Sequence, residues 1–84
     1  MDIKIVKEDK NELDIEMNSL TVAELLRGYL NKEGAEIAAW RRDHPRKSPI
    51  LHIKDDNPRK ILKKAISSIE KDLKTIQEEF KKLK

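Results

Sequence analysis

Asp43, His44 and Ser48 place an acid, a base and a hydroxyl close together in the chain, and these are the residue types of a nucleophilic triad. A triad works only when the base sits in space between the nucleophile and the acid that orients it. Three near neighbours on a segment stiffened by Pro45 and Pro49 do not converge on one point, so no catalysis is read here. His44 and His52 are the only histidines and cysteine is absent, so no set of residues has the ligand spacing of a zinc site. With Gly28 and Gly34 as the only glycines, a glycine-rich phosphate loop is excluded as well. The expectation is no catalytic residue, no metal and no cofactor. His52, in an apolar strand-like run, reads as a half-exposed or hydrogen-bonded residue.

Trp40 stands beside Arg41 and Arg42, with Arg46 and Lys47 further on. An aromatic face next to a basic cluster is how many sheets hold single-stranded nucleic acid. Within Ile37-Ala38-Ala39-Trp40, however, a lone Trp reads as core, and the cations read as a docking or solvated edge.

The elements that position these residues follow from hydrophobic period. Ile3 and Ile5, then Leu13, Ile15 and Met17, alternate with charged residues and predict two strands, each with one buried and one wet face. Glu8-Asp9-Lys10-Asn11 is the turn of that hairpin. Thr21 and Glu24 have capping-box spacing, with Leu20 and Leu25 as a hydrophobic staple. Val22, Leu25, Leu26, Tyr29 and Leu30 follow at helical spacing, and Gly34 is a suitable stop. Gly28 inside this helix costs about 1 kcal/mol relative to Ala and marks either a close approach or nothing. Residues 37–42 predict a third strand, apolar on both faces and so suited to a central position. Ile50-Leu51-His52-Ile53 predicts a fourth strand. The order is β-β-α-β-β-α, an α+β fold with a four-stranded, mostly antiparallel sheet and two helices on one face.

The last helix is the dominant feature. Asn57 or Asp56 caps it, Pro58 opens it, and no later Gly or Pro interrupts the chain to Lys84. Leu62, Ile66, Ile69, Leu73, Ile76, Phe80 and Leu83 recur at alternating steps of four and three, a narrow apolar seam, which Ile61 and Ala65 widen near its start. A helix of roughly 26 residues is about 39 Å long, whereas strands of this length span only ~17–20 Å. Leu73, Ile76, Phe80 and Leu83 therefore project past the body. Burying them is worth roughly 6–12 kcal/mol, against a total stability of about 4–13 kcal/mol for a chain of this size. A partner helix is expected.

Composition is consistent with that picture. The 84 residues are 42% charged, which leaves a thin core in a single domain, and a second subunit would help such a chain. No run approaches the ~20 apolar residues of a membrane span, the N-terminus is not a signal peptide, and the lack of cysteine suits a reducing cytoplasm. Net charge is +3, with the excess on the last helix. The expected form is a solvated lysine face braced by pairs such as Glu70–Lys74 and Glu78–Lys82.

Several stretches resemble archaeal RNA polymerase subunit L, a relative of the dimerisation domain of the bacterial alpha subunit. The carriers are Met1-Asp2-Ile3-Lys4-Ile5, Thr21 with Leu25-Leu26-Arg27-Gly28-Tyr29-Leu30-Asn31-Lys32, and Glu36-Ile37-Ala38-Ala39-Trp40-Arg41 running into Asp43-His44-Pro45. Pro49-Ile50-Leu51-His52-Ile53-Lys54 and Pro58-Arg59 continue the likeness to the last helix. The sequence departs from the family at Ser19-Leu20-Thr21-Val22-Ala23-Glu24, where the family usually has Asp-His-Thr-Leu-Gly-Asn and Thr21 alone matches. The loop after Pro45 also lacks the family's usual apolar and glycine residues.

The resemblance implies a non-catalytic, cytoplasmic component of the DNA-directed RNA polymerase (nucleotidyltransferase) complex. It would form a heterodimer with the polymerase's larger alpha-like assembly polypeptide, called D. That pair is the platform for the two large catalytic subunits, and the chain would touch DNA only indirectly. Carried over by position, the contact falls on Val22, Leu25, Leu26 and Tyr29 of the first helix and Ile69, Leu73, Ile76 and Phe80 of the last, with lysines around the rim. The alternatives are a stand-alone nucleic-acid-binding module using the Trp40–Arg42 edge, or a homodimer through the same seam.

Overall fold

The computed structural model describes residues 3–83. Met1 and Asp2, which open the family-like start, and Lys84, the expected end of the last helix, lie outside the described residues. The elements are β1 (Ile3–Glu8), β2 (Glu12–Met17), α1 (Leu20–Lys32), β3 (Ile37–Arg41), β4 (Ile50–Lys54) and α2 (Pro58–Lys82). The strands form one sheet in the order β1-β2-β4-β3, and all three pairings are antiparallel. Both helices cover one face, giving the α+β architecture expected from the hydrophobic pattern.

The core sits between that face and the helices. Leu13, Ile15 and Met17 of β2 and Leu51 and Ile53 of β4 meet Ala23, Leu26 and Leu30 of α1 and Ile61, Ala65 and Ile69 of α2. These strand residues alternate because successive side chains point to opposite faces of a sheet. Each fully buried Leu or Ile contributes roughly 1.5–3 kcal/mol of transfer free energy.

Two strand expectations are corrected. β3 is an edge strand, and Ile37 and Ala39 face solvent while Ala38 is buried. An apolar run on both faces does not by itself place a strand centrally, since a small residue such as Ala39 is tolerated on a wet face. In β1 the register slips between Ile5 and Lys7, which leaves Val6 as a bulged residue of the kind found at sheet edges. The helices pack on β2, β3 and β4, so Ile5 stays exposed and Ile3 is only half-buried.

The start of α1 also differs from expectation. Ser19, in extended conformation, is the N-cap, and its hydroxyl accepts from the Val22 N–H at 3.3 Å. Thr21 thus lies inside the first turn, and Leu20 and Leu25 stay exposed instead of forming a staple. Glu24 is freed to pair with Arg27 and to accept from the Trp40 indole. The far end closes as Gly34 predicts. Its φ of 94° lets the Gly34 N–H reach the Asn31 carbonyl and the Ala35 N–H the Leu30 carbonyl, a Schellman stop that favours glycine. Gly28 has open space around it, so it marks no close approach.

Candidate partner interface

Asn57 caps α2, its side chain accepting from the Lys60 N–H at 3.3 Å, and Pro58 occupies the first turn. The buried stripe of α2 is Pro58, Ile61, Ala65 and Ile69, whereas Leu62 and Ile66 are half-buried against the same core. The sequence pattern ranks these two edges the other way round. Both edges are apolar, and the buried one is set by where the sheet lies. At about 100° per residue, Ile76, Phe80 and Leu83 continue the buried stripe in register, with Leu73 on its edge.

Beyond Ile69 nothing in the chain covers that stripe among the described residues. Exposure climbs steadily along it, from 51% at Leu73 and 59% at Ile76 to 69% at Phe80 and 80% at Leu83. One helix face is therefore core for its first half and bare for its second. The cause is length: 25 helical residues make a rod of about 37 Å, longer than the strands beneath it.

The first helix meets this ridge at its root. Ser68 donates to Glu33 at 2.9 Å, and the Tyr29 hydroxyl donates to Asp72 at 2.6 Å. The two helices thus run antiparallel past each other. One further turn along each lie Leu25 and Ile76, both exposed. Of the eight residues carried over as a contact, Leu26 and Ile69 are buried in the chain's own core and present no surface to a partner. Val22 and Tyr29 are half-buried against that core, and Leu25, Leu73, Ile76 and Phe80 are exposed.

The other candidate sites come apart. His44 Nδ1 accepts from the Arg46 N–H at 3.2 Å, while Asp43 pairs with Arg41 at 3.8 Å. Asp43 and Ser48 line a cleft with Glu16 and Lys47 that does not include His44, so no triad forms. Trp40 packs on the helix-covered side, hydrogen-bonded to Glu24. Arg41, next along the strand, lies on the opposite face against Asp14 at 3.6 Å, and Arg42 turns back to the Pro45 carbonyl. The alternation of β3 splits the proposed stacking platform across two faces. Among the described residues no group of side chains could hold a metal ion, and no helix is long and apolar enough to cross a membrane.

One buried charge escaped the sequence reading. Asp14 lies on the open face of the sheet yet is only 5% exposed. His52, its cross-strand partner on β4, donates from Nδ1 to Asp14 at 2.5 Å, and its Nε2 lies 3.8 Å from Glu12. His52 is thus half-exposed and hydrogen-bonded, as expected; the carboxylate that holds it required the strand register to identify.

Neither the comparison with protein-family models nor that with curated proteins gives a match for this chain.

Proposed function

We propose that this chain is a non-catalytic, cytoplasmic assembly subunit of a DNA-directed RNA polymerase, of the archaeal subunit L kind. It pairs with the larger alpha-like assembly polypeptide through the projecting half of α2, and the pair forms the platform for the large catalytic subunits. The observation that carries the reading is the continuation of α2's core-facing stripe into bare Leu73, Ile76, Phe80 and Leu83. An apolar centre of this kind is what distinguishes obligate subunit contacts from ordinary surface, and Leu25 on α1 extends it laterally. The residues shared with the family along the chain supply the partner's identity.

The test is purification of the tagged protein from its native cell, with mass spectrometry of what accompanies it. The large polymerase subunits should co-purify with the wild type and be lost from an Ile76→Asp/Phe80→Asp variant that keeps its circular dichroism spectrum. Recovery of only a second copy of the chain would reassign the ridge to a homodimer. Consistent recovery of neither would end the assembly reading.

A further inference from the structure

The face of α2 turned away from the ridge carries a different pattern. Lys60, Lys63, Lys64, Lys71, Lys74 and Lys81 fall within an arc of about 100°, opposite the buried stripe, and all six are exposed. The expected braces are missing: neither Glu70–Lys74 nor Glu78–Lys82 forms, and the α2 lysine pair that does form is Lys82–Glu79 at 3.8 Å. None of the six arc lysines pairs with a carboxylate among the described residues. The nearby acids are otherwise engaged, Asp72 by the Tyr29 hydroxyl, Glu33 by Ser68 and Glu79 by Lys82. Glu78 alone interrupts the arc, and Glu70 borders it.

We infer that this lysine arc binds the phosphate backbone of duplex nucleic acid, without sequence preference. Lys60 to Lys81 spans about 32 Å along the helix, close to the ~34 Å of one duplex turn. Unpaired ammonium groups give up no intramolecular ion pair when they meet phosphate, so counterion release from the polyanion is gained in full. The arc contains no aromatic or aliphatic side chain. It offers nothing to stack on bases, which argues against a single-strand site, and nothing to insert into a lipid surface. Between the lysines stands Ser67, whose hydroxyl suits a phosphate oxygen. Because the arc and the ridge lie on opposite sides of one helix, the chain can hold a protein partner and a duplex together.

Fluorescence anisotropy with a labelled 20-base-pair duplex tests this on the full chain, from 50 to 200 mM salt. With about four phosphates neutralised, log K should fall against log salt with a slope near −3.6. A Lys64→Gln/Lys71→Gln/Lys74→Gln variant, which keeps good helix formers, should flatten the slope by about 2.7 and weaken binding at least tenfold at the lower salt. The Ile76→Asp/Phe80→Asp variant should bind the duplex as the wild type does. Absence of binding at 50 mM salt, an unchanged triple variant, or binding to phosphatidylserine vesicles but not to duplex would each overturn the inference.

Discussion

Tyr29 donates a 2.6 Å hydrogen bond to Asp72, tying α1 to α2 at the last turn of α2 that the body covers. Below this contact α2 is core, and above it the same face is bare. The tyrosine is thus the anchor from which the projecting half of the helix is held. The Asp72 carboxylate, by accepting this proton, raises the Tyr29 hydroxyl above its ordinary range, and desolvation acts in the same direction.

Tyr29→Phe should therefore loosen the distal helix without unfolding the body. Amide exchange should quicken beyond Ile69 and stay unchanged in β2 and β4. The sign with pH follows from the raised value. The contribution is fully present below the ordinary tyrosine pKa and disappears as pH rises through the folded one. Wild type should lose more stability than Tyr29→Phe on alkaline titration, and equal losses would mean the bond does not hold the helix.

Leu26 and Ile76 separate the core from the ridge. Leu26→Ala opens a cavity among fully buried side chains and should cost about 2–5 kcal/mol. Ile76→Ala removes an exposed side chain and should change stability by no more than about 0.5 kcal/mol, while weakening partner binding. Urea denaturation of the isolated chain checks both, and a large loss from Ile76→Ala alone would show that the ridge is covered intramolecularly.

Asp14 is held between His52 and Arg41 on the open face. Asp14→Ala leaves both cations without their buried acceptor and should cost about 1–3 kcal/mol. Replacing Glu12, which approaches His52 at only 3.8 Å, should cost much less. Thermal unfolding of the two variants at neutral pH distinguishes them.

Glu8 on the edge strand and Arg59 in the first turn of α2 form a two-pronged contact, one prong at 2.8 Å. The guanidinium's hydrogen bonds, and then its charge, hold the Glu8 carboxyl below its ordinary range. This contribution is present above the unfolded glutamate pKa and is lost as pH falls through the depressed folded value. Glu8→Gln should flatten that part of the acid limb when denaturation midpoints are compared from pH 6 down to pH 3.

Much of the architecture was legible before any coordinates. The alternation in β2, Gly34 as the stop of α1, the Asn57-Pro58 start of α2 and its overlong apolar stripe are local patterns. Backbone geometry dictates such features residue by residue. What escaped depended on partners distant in sequence. Ser19 displaced Thr21 as the cap because the chain enters α1 there in extended form, and Glu24 then found Trp40 on β3. Asp14 and His52 are 38 positions apart, and only the β2–β4 register brings them together.

The sequence by itself determined that a long amphipathic helix ends the described fold and outruns the strands it covers, because period and length are properties of the chain alone. Tertiary structure decided where on that helix the cover stops, which of Leu25, Leu26, Ile69 and Ile76 remain free for a partner, and that Trp40 and Arg41 lie on opposite faces. Burial is set by the sheet that a side chain meets, and strand order is fixed by contacts between segments that no local pattern records.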